Sequence, residues 1–197
     1  MKTKRCLLLA VVWAAGLQIN FAAESDLSQL AAANNTFAFK LLKQLVTEQP
    51  GASVFVSPYS AATALQMAAN GAAGQTKAEM QQVLETSSLS TAALNEASKA
   101  ASELFNSKDT NVILTTANAL WYRQGAAVKP AFLDANRKFF SSTVKALDFG
   151  NARAAEAEIN QWASDQTHGR ITGIADGMID PIYTDLILAN AIYFKGK

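Results

Sequence analysis

With 197 residues, half of them apolar, the chain is long enough for one sizeable domain with a real core, and its composition excludes a disordered polymer. Seventeen basic and 16 acidic residues give a formal charge of +1, and no clustered basic face of the kind that nucleic-acid phosphates require can be traced, so nucleic acid is excluded as a partner. The single cysteine, Cys6, rules out a disulfide framework and sulfur-based metal sites in the body of the chain.

Taken in chain order, Lys2, Lys4 and Arg5 precede an apolar run from Cys6 to Leu17. The pattern reads as a secretory leader over residues 1–23, too short to span a bilayer, with small residues at Ala14-Ala15-Gly16 and Phe21-Ala22-Ala23 as candidate cut positions. The expectation is a secreted protein (extracellular, or periplasmic in a bacterial host), with no membrane partner and one domain over residues 24–197. Removing the leader leaves 14 basic residues against 16 acidic ones and no thiol.

From Phe37 the apolar positions Leu41, Leu42 and Leu45 recur at helical spacing, with Asn34 as the cap; Asn34-Asn35-Thr36 is also a glycosylation sequon. Gln49-Pro50-Gly51 breaks the helix, and Ser53-Val54-Phe55-Val56 reads as a buried strand. Ser57 then caps a helix that has Pro58 at its first position and small residues from Ala61 to Ala69. Gly71 and Gly74 stop it, and Thr76-Lys77-Ala78-Glu79 predicts a capping box for the next helix. A loop over Glu85–Ser90 leads to a helix marked by Leu94, Ala97, Ala101, Leu104 and Phe105.

The second half alternates strand and helix: Val112–Tyr122, Pro130–Phe140, Thr143–Phe149, Ala154–Thr167 and Asp185–Phe194. Strands separated by helices favour parallel neighbours joined by right-handed crossovers, with the helices covering one face of the sheet. Ala117-Asn118-Ala119-Leu120-Trp121-Tyr122-Arg123 is echoed by Ala189-Asn190-Ala191-Ile192-Tyr193-Phe194-Lys195, which implies similar places for both strands in one sheet.

Asn34-Asn35-Thr36-Phe37-Ala38, Ser57-Pro58-Tyr59-Ser60 followed by Leu65 and Met67, and Gly71 through Thr76 form a set of spaced motifs. In this order the set resembles the serpins, a family whose members mostly trap serine proteases. Asn160-Gln161-Trp162 with Thr167-His168-Gly169-Arg170-Ile171, and Leu188 through Phe194 and Gly196, extend the resemblance over nearly all of the chain after the leader. Ala163, Arg170 and the segment Gly173–Gly177 depart mildly from the family pattern.

The resemblance implies an α+β fold made of the N-terminal helices and the first strands of a large central β-sheet, truncated at Lys197. It implies a serine-type endopeptidase inhibitor that acts, in full-length form, by inserting a cleaved loop into that sheet, with a serine or cysteine protease as partner. The reactive loop lies beyond this chain in the family, so the chain alone is expected to be inactive. Alternatives are a non-inhibitory relative serving as chaperone, carrier or storage protein, and a stand-alone exported binding domain that accepts a strand along the Leu186 edge. Ser57, Ser60 and Asn190 correspond to the family's hydrogen-bonded cluster beneath the sheet, which holds two strands together until they part.

No enzyme chemistry is expected. His168, the one histidine, stands beside Gly169 at a predicted helix end and reads as a cap, leaving no Ser/His/Asp relay and no metal cluster. Glu156 and Glu158 lie on different helix faces. Gly71–Lys77 lacks the upstream strand of a phosphate loop. Only Lys99 and Lys108 stand where some serpins bind glycosaminoglycans, so no polyanion site, cofactor or metal is expected.

Overall fold

The computed structural model describes residues 3–106 and 112–196, with only the backbone described for 3–23. Four helices come first: α1 (Thr3–Glu48), α2 (Pro58–Ala69), α3 (Gly74–Val83) and α4 (Thr91–Phe105). Then follow β1 (Val112–Arg123), α5 (Pro130–Phe140), β2 (Thr143–Leu147), α6 (Ala152–Gln166) and β3 (Leu186–Gly196).

The starts of the middle helices follow from local chemistry. Ser57 has extended backbone and its hydroxyl accepts the Ser60 N–H, while Pro58 fills the first helical position, where no N–H is needed. Ser90 accepts the Ala93 N–H in the same way, and Asn151 that of Ala154. Helix α5 runs from Pro130 to Phe140 and stops at Ser141, whose φ of 49° is left-handed.

Three local expectations fail. Asn34 lies inside α1, because no proline interrupts the chain before Pro50; its amide oxygen accepts from Gln66 Nε2 (3.3 Å) on α2. Helix α3 begins at Gly74, two residues before Thr76, so Thr76 sits in the first turn and the cap residue, Ala73, makes no side-chain bond. Residues 53–57 are irregular and Phe55 is fully exposed, since no described strand lies alongside to take up their backbone groups.

The sheet has the order β2-β1-β3. Strands β1 and β2 are parallel, joined through α5 as expected. Strand β3 is antiparallel to β1, with Ala117↔Ala191, Asn118↔Asn190 and Ala119↔Ala189 in register. The expectation of parallel neighbours throughout is therefore corrected: α6 and the connection after it return the chain along the sheet before β3 begins. The sequence echo is explained by the same register, because the two Ala-Asn-Ala triplets lie face to face.

Both faces of β1 are covered, not one. Successive strand residues point to opposite sides. Ala119 and Trp121 pack with Leu147, Phe149, Ile159 and Trp162 under α6, where the Trp121 and Trp162 rings meet edge-on at 5.3 Å. Leu120 packs with Met67, Leu133 and Phe140 beneath α2 and α5. A separate cluster of Phe37, Ala62 and Leu84 ties α1 to α2. Trp121 is 1% exposed, so truncating it to alanine would cost about 3–5 kcal/mol.

Candidate functional site: an amide pair between two strands

At the centre of the β1–β3 ladder, Asn190 Nδ2 donates to Asn118 Oδ1 at 2.7 Å. Asn118 Nδ2 in turn donates to the Phe140 carbonyl at 2.8 Å, so its amide links β3, β1 and the end of α5. The oxygen of Asn190 is buried and has no partner among the described residues. An unpaired buried acceptor costs about 1–3 kcal/mol, and Asn136 Oδ1 on α5 is the other buried side-chain atom without a partner among the described residues.

The hydroxyls of Ser57 and Ser60 meet at 3.0 Å at the start of α2. Among the described residues neither serine bonds to Asn190, whose amide is engaged by Asn118. Of the three residues singled out in the sequence, Ser57 and Ser60 are joined directly, whereas Asn190 belongs to a separate amide pair with Asn118. Asn118 was missed as a member, although the repeated Ala-Asn-Ala triplet carried the signal.

Beyond β3 no further strand lies among the described residues. Leu186 is 40% and Phe194 67% exposed. Such an edge offers a row of backbone donors and acceptors to an incoming strand.

Thr167 and Asn160 brace the end of α6 and the connection to β3. Thr167 is buried at the end of α6; its hydroxyl donates to the Ala163 carbonyl (2.7 Å) and accepts the Ile171 N–H (2.9 Å). Asn160 accepts from the N–H groups of Ile174 and Ala175 (2.8 and 2.9 Å) and so fixes the connection that leads to β3. Gly169 has φ +74°, a conformation suited to glycine, and Gly71 stands so close to Phe132 that a Cβ there would meet ring carbons at 3.0 Å. Phe37 is buried, whereas Leu65, Thr76 and Ile171 are exposed.

His168 has φ 51°, and its ring lies edge-on to Tyr193 of β3 at 4.5 Å, joining the end of α6 to the sheet. Glu158 pairs with Lys145 (2.7 Å), while Glu156 accepts the Ile179 N–H. Lys99 pairs with Glu103 (3.8 Å); Lys108 lies outside the described residues. Among the described residues no group of three His, Cys, Asp or Glu side chains could hold a metal, and no helix is long and apolar enough to cross a membrane.

A family model described as Serpin (serine protease inhibitor) matches residues 32–197. Serpin B8 of Homo sapiens is 35% identical over 173 residues, covering 87% of this chain and 46% of that protein. Leukocyte elastase inhibitor of Bos taurus is 34% identical, covering 87% and 45%. Among solved structures, ovalbumin from emu (Dromaius novaehollandiae) superposes with a TM-score of 0.80 at 26% identity, covering 85% of this chain and 47% of that one. The chain thus spans less than half the length of these proteins. The expected secretion is overturned here: serpin B8 and leukocyte elastase inhibitor are intracellular, so neither an extracellular location nor a leader follows from the charged and apolar start of the chain.

Proposed function

The chain belongs to the serpin family, and on that premise we propose that the protein of which it forms part is a serine-type protease inhibitor acting by strand insertion. The observation that carries this reading is the outer edge of β3, apolar, unpaired among the described residues and flanked by the buried, unpartnered oxygen of Asn190. A cleaved loop entering there would gain a ladder of backbone hydrogen bonds, and an inhibitor of this kind must hold its uncleaved form in a kinetic trap.

In this reading β1 and β3 stay together while the sheet opens on the far side of β3. The Asn118–Asn190 amide bond and the Phe140 carbonyl hold that pair. Ser57, Ser60 and Asn190 act as the polar group beneath the opening, with the serines fixing the start of α2 under it. The partner is a protease, serine-type by the family's commonest use.

The test is to incubate the longest product of the gene with a panel of serine proteases, including elastase-like enzymes, and to run the mixtures on denaturing gels. A 1:1 complex that survives SDS is expected. Cleavage of the protein by every enzyme, with full protease activity retained and no such complex, would overturn the reading and leave a non-inhibitory relative.

A further inference from the structure

On the helical side, away from the β3 edge, lies a cavity of a different kind. Helix α1, the first turn of α2 and the last turn of α4 enclose a groove of about 620 Å³, within the range of small-molecule sites. Its walls are Leu27, Leu30 and Ala31 from α1, and Ala101, Leu104 and Phe105 from α4. Leu104 is 62% and Phe105 40% exposed, so these side chains face open space.

The floor of the groove is polar. Asn34 and Tyr59 line both the groove and a small chamber behind it, which also takes in Thr63, Gln66, Ser98 and Asn118. Asn34 Oδ1 accepts from Gln66 Nε2 at 3.3 Å, Gln66 Oε1 accepts from Ser98 Oγ at 3.1 Å, and no described bond uses the amide N–H groups of Asn34. Tyr59 is fixed edge-on against Phe105 at 4.8 Å. The groove therefore has an apolar body and a polar end at which the Asn34 amide N–H groups have no bond among the described residues.

Charge decides what fits. Among the described residues no lysine, arginine or histidine lines the groove, and the one ionisable side chain there other than Tyr59 is Glu24. An anionic head would be desolvated without a counter-ion and repelled by Glu24, which costs several kcal/mol in general. We propose that this groove binds a small, uncharged amphiphile whose apolar body lies between α1 and α4 and whose hydrogen-bond-accepting head meets the Asn34 amide. The site is independent of protease inhibition, since it lies on the helices and not along β3.

The probe is N-phenyl-1-naphthylamine, a neutral fluorophore, titrated into the longest product of the gene beside the anionic 1-anilinonaphthalene-8-sulfonate. Saturable binding of the neutral probe at one site is expected, at least about tenfold tighter than that of the sulfonate. Ala101→Phe, which fills the groove, and Leu104→Asp, which alters an exposed wall, should each weaken it about tenfold or more while the far-ultraviolet circular dichroism is unchanged. Binding that neither variant alters, tighter binding of the sulfonate, or dissociation of a dimer by the probe (a second copy as occupant) would each overturn the proposal.

Discussion

Asn118 and Asn190 face each other across the antiparallel β1–β3 ladder and share a 2.7 Å hydrogen bond, each at the centre of an Ala-Asn-Ala triplet. Small neighbours leave room for the amides, and the amides fix the register: a shift of one residue would set Asn190 against alanine and turn its amide to the opposite face of the sheet.

Replacing Asn118 with alanine removes the acceptor for Asn190 and the donor to the Phe140 carbonyl. A loss of about 1–3 kcal/mol is expected in urea denaturation. Asn118→Ala and Asn190→Ala together should cost less than the sum of the single changes, by about 0.5 kcal/mol or more. Simple additivity would show that the two amides do not act as a pair.

Thr167 offers a second test, because its buried hydroxyl joins the Ala163 carbonyl to the Ile171 N–H. Thr167→Val keeps the shape and loses both bonds, so about 1–3 kcal/mol of stability should go. Thr167→Ser should retain most of it. Equal stability of the two variants would mean that the hydroxyl is not used.

The sequence made most of these elements readable, and the failures have physical causes. Helix α5 was readable to its ends, since Pro130 suits a first turn and Phe140 completes its apolar face. The direction of β3 was not, because the rule for crossovers concerns a strand, a helix and the next parallel strand, and here the chain turns back after α6. Phe55 looked like a core residue from its apolar neighbours, yet a strand exists only beside a partner. Ser57 and Ser60 were legible as a local motif, while Asn118 needed the register of two strands 72 positions apart.

Gly71 tests the packing of α2 on α5. A methyl group there would approach two Phe132 ring carbons at 3.0 Å, so Gly71→Ala should cost about 1–3 kcal/mol through forced displacement of the ring. Phe132→Leu in the same chain should recover part of that loss. No recovery would place the strain elsewhere.

Asp180 gives a pH signature. Its carboxylate accepts the Tyr183 and Ile182 N–H groups, and these bonds, followed by the nearby Arg123, hold its pKa below 3.8. A lowered folded-state pKa adds stability that is present above the unfolded value and is lost as pH falls through the folded one. The stability difference between the wild-type chain and Asp180→Ala should therefore shrink as the pH drops below 3.8. A difference that stays constant down to acid unfolding would contradict this.

The most direct test of the central claim is hydrogen exchange along Leu186–Gly196 in the longest product of the gene, before and after cleavage by a serine protease that it engages. Insertion beside β3 predicts that the alternate amides pointing away from β1 become slow to exchange once the protein is cut, while those pointing toward β1 remain slow throughout. Complete cleavage with the outward amides still exchanging at their original rate would contradict it.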